Sequence, residues 1–166
     1  MRVKNEPNSD IERIAIGSDH VGYKLKEDIK AYLAELGVEC QDFGAYSEDR
    51  TDYPRFAEQV ARSVASGEAE RGILICATGV GMSITANKIV GVRAVVCSEP
   101  YTASLSRQHN DTNVLAFGAR VVGAGMARMI VEAWLNGSYE RGRHAPRLEM
   151  IAQLEEERQK QKGARV

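Results

Sequence analysis

Short apolar runs alternate with longer amphipathic stretches along this chain, and the alternation limits which folds it can adopt. Five runs have the length and composition of buried strands, at residues 13–17, 38–43, 73–76, 92–96 and 113–117. The stretches between and after them carry apolar residues at helical spacing, at 23–36, 54–66, 82–88, 100–108 and 124–135. This succession predicts an α/β fold in which five parallel strands form a sheet with helices on both faces, a three-layer αβα sandwich.

The predicted architecture also indicates where function should lie. In sheets of this kind, ligands bind beyond the carboxyl ends of the strands. We therefore expect the functional residues in the loops that directly follow a strand. Local signals agree with the helix boundaries, because Gly37 follows the first helical stretch and Pro54 stands at the first turn of the second.

The composition is that of one ordinary globular domain. The chain has 166 residues, of which 43% are hydrophobic and 27% charged. A net charge of −1 argues against non-specific nucleic-acid binding, and no apolar run reaches the ~20 residues of a membrane span. The first residues lack the apolar segment of a signal peptide, so we expect a cytoplasmic protein. We expect a flexible tail over residues 1–11, a single domain over 12–158 and a charged tail over 159–166.

Cysteine and histidine are too scattered to predict a metal site. The three residues of each type are far apart in the sequence: Cys40, Cys76, Cys97, His20, His109 and His144. They form neither a C-x-x-C pair nor two histidines at metal-binding spacing. We therefore expect no disulfide framework and no metal ion.

The loop after the first strand contains a carboxylate next to an imidazole. Asp19 and His20 follow Ser18 at the end of the strand. Such a pair at a strand end is typical of acid–base chemistry or of ligand positioning. A helix N-cap formed by Asp19 or Ser18 would explain the same residues without any function, and the sequence leaves both interpretations open.

The loop after the third strand is typical of a turn that opens a helix and binds an anion. It reads Cys76-Ala77-Thr78-Gly79-Val80-Gly81-Met82-Ser83. Small residues let backbone N–H groups approach a ligand, and a helix N-terminus favours negative charge. The glycine spacing does not match the dinucleotide-binding motif, and the chain contains no Gly-Lys-Ser/Thr, which argues against NAD and ATP. Cys76 faces the predicted helix N-terminus, where a thiolate is stabilised, although a small core residue is the alternative.

Three further segments supply polar or basic groups. His109-Asn110-Asp111 precedes the fifth strand, and we expect its imidazole at the same sheet edge as Cys76, although a polar helix C-cap is the alternative. Arg120 follows the fifth strand. Arg143 and Arg147 share a face if they are helical, and the planar guanidinium group suits a phosphate. A solvated charged segment would explain these two arginines equally well.

Six motifs occur in a fixed order: Ser18-Asp19-His20-x-Gly22, Asp52-Tyr53-Pro54, Cys76-x-Thr78-Gly79-x-Gly81, Ala86-Asn87-Lys88, Arg107-x-His109-Asn110-Asp111-x-Asn113-Val114-Leu115 and Gly142-Arg143-His144-x-x-Arg147. With these motifs the chain, from about Ile14 to Glu155, closely resembles the type B ribose-5-phosphate isomerases, a family that also holds galactose- and allose-6-phosphate isomerases. The resemblance implies a Rossmann-like domain without a cofactor. It also implies an aldose–ketose isomerisation through ring opening and a cis-enediolate, in a homodimer or tetramer with the site at the subunit interface.

The resemblance further implies roles for single residues. Cys76 is expected to take the C2 proton, with Thr78 assisting at the oxygens. His109, together with Asp19, is expected to assist ring opening. The backbone of Ala77, Gly79 and Gly81 is expected to bind the enediolate oxygen. Tyr53 and Asn110 are expected to contact the sugar hydroxyls. The phosphate is expected to be bound by four side chains: His20, Arg120, Arg143 and Arg147.

Two positions depart from the pattern of relatives. Ala77 stands where many relatives have glycine, and Met82 stands where some have a glutamate base. Methionine cannot act as a base, so the resemblance places the chain in the cysteine-base branch.

Two alternatives stay open: the same chemistry on allose 6-phosphate, galactose 6-phosphate or a tetrose phosphate, and a noncatalytic module that binds a sugar phosphate. The coexistence of Cys76, Asp19 and His109 favours an enzyme.

Overall fold

A computed structural model describes residues 13–163 as five strands and six α-helices. The strands are β1 (Arg13–Ser18), β2 (Glu39–Asp42), β3 (Arg71–Cys76), β4 (Ala94–Val96) and β5 (Val114–Gly118). The helices are α1 (Tyr23–Glu35), α2 (Tyr53–Ala65), α3 (Val80–Ala86), α4 (Pro100–Asn110), α5 (Ala124–Asn136) and α6 (Ala145–Gly163), with a 3₁₀ turn at Gly142–His144. The predicted parallel five-stranded sheet and its helical layers are thereby confirmed.

All strands pair in parallel in the order β2-β1-β3-β5-β4. The chain moves outward from β1 to β2 and then returns to place β3 on the other side of β1. The strand order therefore reverses between β1 and β3, and a crevice forms beyond the carboxyl ends of strands at such a point. The loops after β1 and β3 flank this crevice.

Two apolar cores sandwich the sheet because successive side chains in a strand point to opposite faces. Ile14 and Ile16 of β1 pack in one core with α1, α4 and α5, whereas Ala15 packs in the other with α2 and α3. In β3, Ile73 and Ile75 belong to the first core, and Leu74 and Cys76 belong to the second. Cys76 therefore ends its strand on the side of the sheet that α3 covers.

The two ends of the chain are described only in part. The tail expected at residues 1–11 and the last residues, 164–166, lie outside the described residues. Helix α6 continues to Gly163, so the charged segment from residue 159 is helical over most of its length. A Lys160–Glu156 pair at i,i+4, with Nζ and Oε2 3.9 Å apart, supports these last turns. Among the described residues, none of the helices combines the length and the apolar character that crossing a membrane requires.

Candidate active site

Backbone hydrogen bonds join the loops after β1, β3 and β5 at the carboxyl edge of the sheet. The amide of Asp19 donates to the carbonyl oxygen of Ile75 at 3.2 Å. The amides of Ala119 and Arg120 donate to the carbonyl oxygens of Cys76 and Ala77 at 2.8 and 3.1 Å. These bonds bring Asp19, the Cys76 loop and the start of the Arg120 segment together, as the fold argument from the sequence predicts.

Cys76 lies at the centre of this edge with 5% of its surface exposed. Its Sγ accepts a hydrogen bond from the amide of Gly79 at 3.1 Å. Gly79 adopts φ +82°, and a Cβ at this position would lie 2.9 Å from the backbone of Phe117, so the turn requires glycine. The amide of Gly79 thus holds the sulfur in place, and the thiolate is the form of a cysteine that acts as a base.

The other two cysteines lie in different surroundings. Burial raises the pKa of Cys40 to about 11 and that of Cys97 to about 12. Both thiols therefore stay protonated at neutral pH. The structure agrees with the sequence argument that separates Cys76 from the two structural cysteines.

Asp19 is buried, and its carboxylate accepts a hydrogen bond from the amide of Gly22 at 2.9 Å. Gly22 is the N-cap of α1 and no side chain caps this helix. The N-cap predicted as an alternative for Asp19 or Ser18 is therefore wrong, although Asp19 does close the turn before the helix. A Cβ on Gly22 would collide with the carbonyl group of Ile75. Because glycine has no side chain, the helix can begin this close to β3.

Three further residues lie in the Cys76 loop or against it. The ring of Tyr53 lies against Gly81, where an added Cβ would come within 2.6 Å of it. Thr78 is exposed, and its Oγ1 accepts a hydrogen bond from Val80 at 3.4 Å. Met82 is completely buried in the core, so it contributes packing rather than chemistry to the site.

His109 does not lie near Cys76 in the same chain. It belongs to the last turn of α4, and residues 111–113 lead directly into Val114 at the start of β5. Val114 is beside Gly72, and the strand from Gly72 to Cys76 spans about 13 Å at ~3.3 Å per residue. The expectation that His109 lies at the same sheet edge as Cys76 is therefore wrong within one chain, because a crossover helix ends at the edge where the next strand begins.

A second cluster forms at this opposite, amino edge of the sheet. The ring of His109 stacks on the buried ring of His144, with centroids 4.2 Å apart. The amide of Glu140 donates to the carbonyl oxygen of Gln108 at 3.0 Å, and this bond fixes the segment that precedes Arg143 to the end of α4. Arg143 Nε lies 3.4 Å from His144 Nε2. His109, Asn110, Arg143 and Arg147 therefore share one region, which we call the amino-edge cluster together with Glu140 and His144.

The amino-edge cluster contains three residues that could ligate a metal. Potential ligand atoms of His109, Glu140 and His144 lie within 4.8 Å of one another. No sequence pattern predicts this group, because His109 lies 31 positions before Glu140 and 35 positions before His144. Burial lowers the pKa of His144, and the charges of His109, Arg143 and Arg147 lower it further. The same positive charges oppose a cation and favour an anion.

Other motif residues have structural roles. The side-chain amide of Asn87 pairs with both backbone groups of Ala94, at 2.8 and 2.9 Å. Asn113 accepts from the amide of Arg93 at 2.8 Å and donates to the carbonyl of Gly91 at 2.8 Å. These two asparagines hold the edge strand β4 in place. Sequence reasoning assigned no role to Thr51, which contacts His20, because no local pattern links residues so far apart.

The chain matches the Ribose/Galactose Isomerase family over residues 14–151. This match spans both the carboxyl-edge loops and the amino-edge cluster. The chain belongs to the Ribose/Galactose Isomerase family.

Members of the Ribose/Galactose Isomerase family are similar to this chain over nearly their whole length. Ribose-5-phosphate isomerase B of Escherichia coli is 62% identical over 148 residues, which cover 89% of this chain and 99% of the relative. The structure of ribose-5-phosphate isomerase B of Clostridium thermocellum superposes with a TM-score of 0.86 at 50% identity, covering 87% of this chain and 98% of the other. That of Mycoplasma genitalium, solved with bound ribulose 5-phosphate, gives 0.83 at 39% identity, covering 87% and 97%. The chain is thus an isomerase of this α/β fold, as the resemblance implied.

Proposed function

We propose that this chain interconverts ribose 5-phosphate and ribulose 5-phosphate by ring opening and a cis-enediolate proton transfer. The observation that carries the proposal is the position of the Cys76 thiol, which accepts the Gly79 amide at 3.1 Å and lies in a loop joined to those of Asp19 and Arg120. The relatives named ribose-5-phosphate isomerase B, one of them with ribulose 5-phosphate bound, support this substrate.

The chemistry requires a base and a site for negative charge. In the open-chain aldose, the Cys76 thiolate takes the proton from C2, and the resulting enediolate receives a proton at C1 to give the ketose. Thr78 moves protons between the two substrate oxygens. Backbone N–H groups of the loop from Ala77 to Gly81 hold the enediolate oxygen, since preorganised donors stabilise developing charge. No step needs a metal or a cofactor.

We propose that a second copy of the chain completes the site. Asp19, His20, Cys76 and Arg120 come from the carboxyl edge of one chain. His109, Asn110, Arg143 and Arg147 come from the amino-edge cluster of its partner. The separation of the two groups within one chain supports this arrangement, because a single chain cannot bring His109 to the substrate held by Cys76. We therefore infer a homodimer or tetramer.

In the completed site the phosphate lies between His20 and Arg120 of one chain and Arg143 and Arg147 of the other. Tyr53 and Asn110 bind the sugar hydroxyls. His109, with Asp19 on the opposite side, opens the furanose ring before proton transfer. Phosphate binding is remote from C1 and C2, so its free energy orients the reacting carbons. We propose the cytoplasm as the location, where phosphorylated sugars of central metabolism are present.

The test is a substrate panel of four-, five- and six-carbon aldose phosphates with the purified chain, in which formation of the ketose is measured. We expect kcat/KM to be highest for ribose 5-phosphate. A preference for allose 6-phosphate, galactose 6-phosphate or a tetrose phosphate would change the substrate but keep the mechanism. Binding of all of these without turnover would instead identify a noncatalytic module, and Cys76→Ala provides the background rate.

A further inference from the structure

His20 is held at two points by one residue from another part of the chain. The backbone amide of His20 donates to Oγ1 of Thr51 at 3.1 Å. In return, the backbone amide of Thr51 donates to Nδ1 of the His20 ring at 3.3 Å. His20 follows β1, whereas Thr51 lies in the connection between β2 and α2. This reciprocal pair, which we call the Thr51 clamp, fixes both the backbone and the ring of His20.

The clamp determines which ring nitrogen carries the proton. A neutral imidazole has one N–H donor and one acceptor nitrogen. Because Nδ1 accepts the Thr51 amide, Nε2 carries the hydrogen of the neutral ring. The hydrogen bond on one ring nitrogen thus sets the function of the other. His20 is half-buried, so part of the residue remains accessible to solvent.

The segment that carries Thr51 is itself fixed to the site at both ends. At its start, Ser18 and the turn at Gly44 and Ala45 exchange two backbone hydrogen bonds. The Asp42 carboxylate accepts the Gly44 amide at 2.9 Å and thereby holds the same turn. At its other end, the Tyr53 ring packs on Gly81 of the Cys76 loop. Thr51 therefore lies in a connection that spans from the β1 loop to the β3 loop.

We propose that Thr51 is a positioning residue that presents Nε2–H of His20 to the phosphate of the substrate. The proposal rests on the proposed function, in which His20 contacts that phosphate. Without the Oγ1 acceptor, the His20 backbone amide loses its partner, and the backbone that places the ring is held by one hydrogen bond fewer. The phosphate is remote from the reacting carbons, so the loss appears in KM more than in kcat.

The test compares Thr51→Val, which keeps the shape but removes the hydroxyl, with Thr51→Ser, which restores it. Ser47→Ala in the same connection is the matched control, because Ser47 bonds only to its exposed neighbour Asp49 in the described contacts. Losing one such hydrogen bond corresponds to roughly threefold to tenfold in binding. We expect Thr51→Val to raise KM for ribose 5-phosphate by about this factor with kcat nearly unchanged, and Thr51→Ser and Ser47→Ala to resemble the parent chain.

A second readout needs no turnover. Long-range ¹H–¹⁵N NMR of the substrate-free chain reports the tautomer of His20, and titration with inorganic phosphate reports contact with its Nε2–H. We expect the Nε2–H tautomer in both the parent chain and Thr51→Val, because the Thr51 backbone amide is kept. We expect weaker phosphate-induced shifts in Thr51→Val, because the backbone of His20 loses its bond to Oγ1. An Nδ1–H tautomer in the parent chain, or an unchanged KM and phosphate response in Thr51→Val, overturns the proposal. Absent turnover of ribose 5-phosphate overturns the proposed function alone, since the NMR result still decides whether Thr51 positions a phosphate-binding ring.

Discussion

The imidazole rings of His109 and His144 are stacked at a centroid distance of 4.2 Å with an angle of 9° between their planes. His109 lies in the last turn of α4 and His144 ends the 3₁₀ turn before α6, so the stack joins two segments of the amino-edge cluster. Two protonated rings at this distance would repel each other. Arg143 and Arg147 add to this effect, and the cluster favours the neutral form of His144.

This environment predicts a pH dependence of stability. Burial and the neighbouring positive groups lower the pKa of His144 in the folded state below its ordinary value of 6.5. Below pH 6.5 and down to the folded pKa, the unfolded chain binds more protons than the folded chain. The stability that the folded state has with a neutral His144 is therefore fully present above pH 6.5, and it is lost as the pH falls towards the folded pKa. We expect the free energy of unfolding to fall less steeply with acidification in His144→Asn than in the parent chain.

Glu140 provides the control for this prediction. The charge of Glu140 raises the pKa of His144, in contrast to the positive groups beside that ring, and Glu140 Oε2 lies 3.9 Å from His144 Nε2. Glu140→Gln should therefore lower the midpoint of the His144 titration further, as followed by NMR of the ring protons. A midpoint that moves upward in Glu140→Gln would contradict the assigned charge balance.

Replacing Cys76 by alanine should remove the proposed base. We expect kcat to fall on the order of 10²-fold or more, with much of the substrate affinity retained. Steady-state kinetics, together with a thermal melt to verify folding, measure the effect. Cys40→Ala is the matched control, because burial keeps that thiol protonated and it lies away from the crevice on β2. Near-normal kcat in Cys76→Ala would show that another group takes the C2 proton.

Arg147→Ala should weaken phosphate binding. A charge-assisted hydrogen bond contributes ~1.5–3 kcal/mol, which corresponds to roughly tenfold or more in KM. Binding of the dephosphorylated sugar, already weak, should hardly change. An unchanged KM for the phosphorylated sugar would mean that Arg147 is only a solvated charge of α6.

The same variant tests whether two chains share a site. Cys76→Ala and Arg147→Ala chains are unfolded together, refolded and assayed at low substrate concentration. In a dimer with shared sites, half of the molecules are hybrids with one intact site, so we expect about a quarter of parental activity. Activity equal to the average of the two separate variants would show that each chain uses its own Arg147.

Chelation should leave activity unchanged. The proposed steps use a thiolate, hydroxyl and amide groups, and the positive charges around His109, Glu140 and His144 oppose a cation. The measurement is kcat/KM before and after exhaustive treatment with EDTA, followed by addition of single divalent ions. A large loss that one ion restores would assign a metal to these three residues.

Lys26 should be important for stability although it is a charged residue in the interior. It is fully buried, and its Nζ lies 2.7 Å from both carboxylate oxygens of Asp42. Burial alone would raise the pKa of Asp42, but hydrogen bonds from Lys26, Lys30 and the Gly44 amide outweigh this and lower it. Removing one partner of a buried pair costs about 3–5 kcal/mol, and the remaining Lys30 favours the lower end of that range for Lys26→Met.

Lys30→Met is the control for this effect. Its Nζ also lies 2.7 Å from Asp42, but 29% of its side chain is exposed, so we expect a loss of about 1 kcal/mol or less. Urea unfolding at a constant protein concentration measures both variants. Equal losses would show that burial of Lys26 adds nothing to the ion pair.

The sequence by itself determined the strands and helices and the turn at the end of β3. Each of the five apolar runs overlaps a strand, and each predicted helical stretch overlaps a helix, because burial repeats with a period of about two or 3.6 residues whatever the remaining chain does. Gly37, with φ +77°, ends α1 as predicted. The position of Cys76 before a glycine turn is likewise local, so its contact with the Gly79 amide follows from a few neighbouring residues.

Only the tertiary structure decided which distant residues meet. The order β2-β1-β3-β5-β4 brings the loops of β1, β3 and β5 together and leaves His109 at the opposite edge, because α4 runs back along the sheet before β5 begins. The contact between Thr51 and His20 and the stack of His109 on His144 depend on packing between elements that are 31 and 35 residues apart. Such contacts are set by side-chain packing across the whole domain, and no periodicity within a single segment encodes them.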